Sequence, residues 1–446
     1  MISRSLVDYY RCPSEYADFS VPATSSQEAG FFRFDGGVLC YGRCSSGPRS
    51  NSPDGHLYRA LPDLHSNGAV ALPFDPDEVV DNFRLEQYAA ACRPDAGITG
   101  LGLISTLIYY KLRPWLPVSI RRHLQRLRLS GWWNTPFPRW PVDTTVDDLF
   151  RRLVALAVQR GGSPVPFIWF WPEGAPACVI MTHDVEAIAG YKFSPTLMDI
   201  DEEYGIRSSF QIVPEDRYEV SAAFLQQIRA RGFEVNVHDL NHDGHLFRDR
   251  LTFDRRAEKI RDYARKFGSL GFRSGAMYRN PLWLESLGFQ YDMSIPNAGQ
   301  LDPQHGGCCT VMPFFIGETL EIPVTAVQDY SLFHILNRRS IDIWCTQLEI
   351  IMRTSGMGNF IVHPDYITES SQRDTYTSLL SFLKELRVEK GLWMPQPQDV
   401  NQWWRARHSM RLVKQNGQWK IEGPQSERAR IAYAVLDHGQ LCYKLQ

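Results

Sequence analysis

The spacing of apolar and polar positions changes several times along this chain. Residues 31–41 carry two apolar runs on either side of Asp35 and Gly36, the pattern of a β-hairpin. Asp75, followed by Pro76 and by apolar positions at helical spacing, predicts an N-capped helix running to about Cys92. From about residue 175 the pattern becomes regular. Apolar runs of strand length fall at 177–182, 210–213 and 233–237, near Phe272 and Tyr291, and at 320–324, 360–362 and 392–394. Amphipathic segments at 195–204, 222–231, 255–267, 341–353 and 376–388 separate them. Repeated strand–helix units predict an α/β fold with a parallel sheet or barrel, whose functional groups sit at the C-terminal ends of the strands. Strict alternation returns at 411–421 around Asn416 and Gly417, then at 430–435 and 441–443.

Four regions follow: an N-terminal mixed, β-rich region (1–95), a basic helical connector (96–174), the strand–helix region (175–408) and a C-terminal β appendage (409–446). Of the 446 residues, 43% are apolar and 22% charged, which suits a globular protein with a sizeable core. The net charge of −2 gives no global field that favours nucleic acid. The connector differs in kind. No acidic residue falls between Asp95 and Asp143, but Lys111, Arg113, Arg121, Arg122, Arg126, Arg128 and Arg139 do. Pro117 can open a helix over 117–128 with Ile120, Leu124 and Leu127 on one face. Its plain reading is a packed helix with a solvated basic side. The sharper reading is an interfacial helix gripping anionic lipid headgroups or a lipid-diphosphate substrate.

The uncharged run at 96–110 is shorter than the roughly 20 residues a spanning helix needs. The first residues lack the apolar core of a secretory signal. Nine cysteines without a Cys-x-x-Cys pair predict no structural disulfides. The expected location is therefore cytoplasmic, with the inner membrane face as a site of peripheral contact.

Four clusters could carry chemistry. Thr182, His183, Asp184, Val185 and Glu186 follow the first strand, and alternation puts Asp184 and Glu186 on one face with His183 opposite. His238 and His242 follow the third; on one helical turn an i,i+4 pair can direct two imidazoles at one ion, with His245 as a competing ligand. Arg273 could pin a carboxylate in its ionised form, and Asp292 could orient an imidazole or that arginine. His363 closes a late apolar strand and suits a general acid.

The order of these clusters resembles the polysaccharide deacetylases, carbohydrate esterase family 4, over roughly residues 175–404. The resemblance implies a distorted (β/α) barrel of about seven strands and removal of N-acetyl groups from amino sugars. It implies a general base at Asp184, metal ligands at His238 and His242, an arginine tether at Arg273, and a general acid at His363 oriented by Asp292. Two departures stand out. Val185 occupies the place of a metal-binding Asp, so Glu186 is the candidate third ligand; alternatively Asp184 is the ligand and Glu186 the base. Gly275 and Ala276 replace a Pro-Tyr pair, although an oxyanion contact from the backbone N–H of Ala276 needs no particular side chain.

His/His/carboxylate ligation suits zinc, with cobalt, nickel or iron left open by ligand type. The implied substrate is an acetylated amino sugar of a polysaccharide or its precursor, a lipid-linked or nucleotide-linked sugar suiting the basic helix. An amidohydrolase acting on a non-sugar amide, and a non-catalytic carbohydrate-binding or scaffold protein of the same fold, are the alternatives.

Overall fold

The computed structural model describes residues 1–21, 28–45, 47, 50–64, 70–92 and 131–446. The helix expected over 117–128 lies outside the described residues. In the N-terminal region α1 (Arg4–Tyr10) precedes the expected hairpin, in which β1 (Gly30–Phe34) and β2 (Val38–Gly42) pair antiparallel across a turn at Asp35–Gly37. β3 (Arg59–Ala60) joins β1 in parallel. Asp75 caps α2 (Pro76–Arg84) by accepting from the Asp77 N–H at 2.9 Å. That helix stops short of Cys92, because Glu86 enters the left-handed region (φ 57°) and a 3-10 turn, Gln87–Ala90, takes over.

Helix α3 (Thr145–Gly161) and β4 (Val165–Ile168) lead into the strand–helix region. Its elements are β5 (Cys178–Val185), α4 (Ile188–Glu203), β6 (Ser209–Ile212), α5 (Ala222–Ala230), β7 (Glu234–His238), α6 (Arg250–Phe267) and β8 (Gly271–Arg273). They continue with β9 (Tyr291–Asp292), β10 (Phe314–Ile316), β11 (Thr319–Glu321), α7 (Asp342–Arg353), β12 (Met357–Ile361), α8 (Ser370–Lys390) and α9 (Pro397–Ser409).

One sheet runs β10–β11–β9–β8–β7–β6–β5–β12, and every neighbouring pair is parallel except β10 with β11. Beyond β11 the chain swings across to β12. Thr325 Oγ1 donates to the Met357 carbonyl (2.7 Å) and accepts from the Asn359 N–H (2.8 Å). The sheet thus curls into the expected distorted (β/α) barrel. All eight residues of β5 are buried; its first half, Cys178–Met181, is a continuous apolar run, and its second half carries the polar residues of the barrel mouth. Residues 392–394 contribute a single bridge from Trp393 to Cys178 at the foot of β5, not a full strand.

The flanking regions share one body. β15 (Ile431–Asp437) pairs with β16 (Gln440–Leu445) and also antiparallel with β4, while the hairpin of β13 (Arg411–Gln415) and β14 (Gln418–Glu422) precedes them. The C-terminal segment therefore completes a sheet begun by β4 in the connector. Leu6, Phe31, Val79, Leu149, Phe167, Trp403 and Ala432 lie in a single apolar core. Asp147 on α3 accepts from the Tyr9 hydroxyl (3.0 Å), the Thr310 hydroxyl (2.9 Å) and the Val311 N–H (3.1 Å), tying the N-terminal region to a barrel loop. No helix among the described residues is long and apolar enough to cross a membrane.

Candidate active site

The mouth of the barrel collects the expected side chains from four strand ends. Asp184 lies at the end of β5 and is buried, and Arg273 at the end of β8 donates from Nη1 to Asp184 Oδ1 at 2.6 Å. The same Nη1 reaches Thr182 Oγ1 (2.7 Å), and Nε donates to the Met293 carbonyl (3.1 Å). A guanidinium tethered at three points has little freedom left, so it presents its charge to Asp184 in a fixed direction. Burial pushes the Asp184 carboxyl up, but Arg273, His238 and His363 outweigh it, and the group sits below the usual aspartate range.

Glu186, one residue past β5, points one oxygen into a ring of imidazoles. Its Oε1 lies 2.8 Å from His242 Nε2, 3.3 Å from His238 Nε2 and 3.3 Å from His363 Nε2. Burial raises this carboxyl; His242 and His363 drive it well below the ordinary glutamate value. His238 Nδ1 faces the Arg273 carbonyl at 3.1 Å. A carbonyl can only accept, so Nδ1 carries the proton and Nε2 is the nitrogen turned to the cluster.

The histidine pair is not on a helical turn, as its spacing suggested. His238 ends β7, whereas Asp239 (φ 55°) and His242 (φ 56°) take left-handed backbone in the loop before α6. Arg217 holds that loop by donating to the Asn241 carbonyl (3.1 Å) and the His242 carbonyl (2.5 Å). The two rings nevertheless converge, with centroids 4.8 Å apart. His245 turns away to Asp243 at 3.4 Å and is half exposed.

The expected oxyanion donor has another partner: the Ala276 N–H donates to His242 Nε2 at 3.2 Å. Gly275 is a steric requirement here. A Cβ at that position would stand 2.4 Å from Asp239 Oδ2 and 3.0 Å from His242 Cδ2.

His363 needs the main correction. Its orienting carboxylate is Asp329, not Asp292. Asp329 grips the residue twice, accepting at Oδ1 from the ring Nδ1 (2.7 Å) and at Oδ2 from the backbone N–H (2.7 Å). Asp292 belongs to β9 and accepts from Ser294 N–H (2.8 Å) and Ser294 Oγ (3.1 Å) instead. Burial lowers the His363 pKa, but Asp329 and Glu186 reverse this, holding it well above the ordinary histidine value. Asp329 went unread in the sequence because it sits in the crossover beyond β11, where no strand periodicity marks it. Its only signal was an acidic residue shortly after an apolar run.

His183 points to the opposite face of β5, as alternation requires. There it bridges the Val362 carbonyl (3.0 Å) and Asp201 (2.9 Å), and Asp201 also accepts from Tyr376 and Ser208 at 2.6 Å each.

Among the described residues, two sets of donor atoms lie close enough to share an ion: Glu186, His238 and His242, and Asp184, Glu186 and His363. In the first set the His238 ring gives its Nδ1 proton to the Arg273 carbonyl and so turns an unprotonated Nε2 toward Glu186 Oε1, and two imidazoles with one carboxylate are the donor types of zinc ligation.

No protein-family profile matches the chain, and no curated protein does. The chain is similar in structure, over about half its length, to solved polysaccharide deacetylases. One, from Mycobacterium smegmatis and so assigned, is 18% identical with a TM-score of 0.43, covering 54% of this chain and 94% of its own. Another, from Pseudomonas aeruginosa PAO1, is 12% identical with a TM-score of 0.40, covering 53% and 93%. An allantoinase is 13% identical with a TM-score of 0.40, covering 53% and 92%.

Proposed function

We propose that this chain is a metal-dependent hydrolase that removes N-acetyl groups from an amino sugar of a polysaccharide or its precursor. The observation that carries the reading is the convergence of three imidazole Nε2 atoms on Glu186 Oε1, 2.8–3.3 Å away, beside an Asp184 clamped by Arg273. Glu186, His238 and His242 would hold the ion, zinc first among the candidates. When bound, it supplies Lewis acidity, polarising the acetyl carbonyl and acidifying a water.

The remaining roles belong to this chain's own side chains. Asp184, kept ionised by Arg273, takes the proton of the attacking water. The Ala276 N–H, now held by His242 Nε2, would be released if that nitrogen turned to the ion, and would then donate to developing negative charge. An amine cannot leave as an amide anion, so the nitrogen must be protonated as the C–N bond breaks. His363, positively charged between Asp329 and Glu186, delivers that proton from Nε2. Asp329 fixes the ring so that Nε2, not Nδ1, faces the site.

The test is metal content and acetate release together. About one equivalent of divalent metal in the wild type, lost in His238→Ala/His242→Ala, is the result expected of a three-ligand site. Release of acetate from acetylated amino sugars, and not from a panel of other amides, would support the substrate class. A wild type that stays metal-free after incubation with divalent ions overturns the reading. Lipid linkage of the substrate and contact with the cytoplasmic membrane face are part of the same proposal, resting on the basic helix expected over residues 117–128. Sedimentation with anionic vesicles tests them: Arg121, Arg122, Arg126 and Arg128 changed together to Glu should abolish binding, and a wild type that never binds removes the idea.

A further inference from the structure

Asp292, which does not reach His363, has a different neighbour. In the parallel ladder of β9 and β11 it lies in direct register with Glu321, and both are buried, at 2% and 0% exposure. Asp292 uses its two oxygens on the N–H and hydroxyl of Ser294. Glu321 Oε1 accepts from the Ile295 N–H at 3.0 Å. Glu321 Oε2 is buried and has no donor among the described residues, while the Asp292 carboxyl is in hydrogen-bonding contact with the Glu321 side chain. Two carboxyls in direct register on neighbouring strands, both shut away from water, cannot both stay ionised, and a buried acceptor without a donor is costly. One proton between them answers both difficulties.

The charges around the pair point the same way. Burial and the repulsion of Asp292 hold Glu321 well above the ordinary glutamate value, against the pull of Arg279, and burial raises Asp292 to about 6. Arg273, one residue beyond the partner of Asp292 in the β8–β9 ladder, attracts Asp292. With one proton retained the pair is a monoanion, so Arg273 feels a single negative charge from the pair besides the Asp184 carboxylate it touches. Its Nη2 finds no acceptor among the described residues, so the guanidinium is not drawn away from Asp184 by a second direct hydrogen bond.

We propose that Asp292 and Glu321 share one proton and act together as a positioning pair for Arg273, keeping its guanidinium on Asp184. The pair touches no substrate. The shared proton stands independently of the deacetylase reading; its consequence for turnover rests on that reading.

Two measurements on the full chain test the proposal separately. In infrared difference spectra at neutral pH, wild type minus Glu321→Gln should contain the carbonyl stretch of a protonated carboxyl. A difference containing only ionised-carboxylate bands overturns the shared proton, whatever the enzyme's activity. In acetate release by the metal-loaded protein, Glu321→Leu, which removes the carboxyl that shares the proton with Asp292, should lower kcat by about tenfold with KM within about twofold. Glu321→Gln, whose amide supplies a donor and no charge, should recover most of that loss. Equal losses in the two variants, or a change confined to KM, overturn the positioning role. Should the Leu variant fail to fold, Asp292→Asn paired with Glu321→Gln removes the counter-charge while keeping the hydrogen bond, and the same fall in kcat is expected. An unchanged kcat in that pair likewise overturns the role.

Discussion

Strand β7 carries two centres of buried charge, and they behave in opposite ways. At its C-terminal end His238 faces Glu186, which burial pushes up but the surrounding imidazoles drive well below the ordinary range. Four residues upstream on the same strand, Glu234 is more deeply enclosed, and its pKa is raised to about 8. The difference lies in the neighbours. Glu234 meets the Asn236 amide (2.6 Å), the Tyr291 hydroxyl and the Gln398 N–H (3.2 Å), all neutral donors, with Asp399 adding repulsion. Neutral donors do not repay the loss of hydration of a full charge, whereas cationic ones can. Burial alone therefore makes a carboxyl a neutral packing element; matched positive charge makes it chemically active. One barrel contains both, a strand's length apart.

The largest effect expected from this contrast is at the mouth. His238→Ala/His242→Ala removes two of the groups that draw Glu186 into its ionised state, and acetate release should fall on the order of a thousandfold or more, with loss of bound metal by elemental analysis. Retained metal would mean that the ring of imidazoles is not what Glu186 is ionised for.

Asp184→Asn comes next. It takes the proton acceptor away and leaves Arg273 buried without its carboxylate, so kcat should drop by about a hundredfold to ten-thousandfold. Thermal unfolding should show a lower midpoint, because breaking a buried pair costs roughly 3–5 kcal/mol. Full activity in this variant would sink the base assignment and favour Glu186 in that role.

Asp329→Asn keeps the shape at His363 but removes the charge that holds its proton. A loss of about tenfold to a hundredfold in kcat is expected, with the basic limb of the pH–rate profile moved to lower pH. The sign follows from the raised His363 pKa: the imidazolium form persists to higher pH while Asp329 is present, and is lost earlier without it. A basic limb that does not move would mean His363 is not the acid.

Gly275→Ala should be milder. Its Cβ would crowd Asp239 Oδ2 and His242 Cδ2, displacing a ligand ring, and metal affinity should weaken by about tenfold or more in competition with a chelator. Wild-type affinity would show that the loop yields at no cost to His242.

The smallest effect on catalysis sharpens the other half of the contrast. Glu234→Gln should leave acetate release unchanged and alter only the pH dependence of stability. The folded pKa of about 8 exceeds the ordinary 4.5, so between those values the folded state holds a proton that the unfolded state has lost. Stability of the wild type should then decline as pH rises through that window. The variant lacks this loss, so its melting temperature relative to wild type should rise from pH 5 to pH 8. A constant difference at both pH values would show Glu234 already ionised.

How much was legible in advance differs by element. The barrel strands were: β5 opens on the apolar run Cys178–Met181, and β6 and β7 alternate apolar with polar residues, although every position of these strands is buried. Alternation along β5 correctly separated Asp184 and Glu186 from His183. The loop carrying His242 was not legible, since an i,i+4 spacing describes a helix only if the backbone stays right-handed, and Asp239 and His242 do not. Asp329 was hidden for a related reason: it reaches His363 through a crossover, across 34 residues of sequence. The tail read as β but not as a partner of β4, because strand pairing between distant segments leaves no trace in either one alone.

By itself, then, the sequence determined which residues can carry charge, donate or ligate, and which segments can form strands, since both follow from local chemistry and periodicity. Only the tertiary structure decided which carboxylate keeps its charge and which gives it up. It also decided that Asp329 rather than Asp292 orients His363, and that the tail closes on the connector. Those outcomes depend on distances between groups far apart in the chain and on the exclusion of water around them, and neither quantity exists until the barrel has closed.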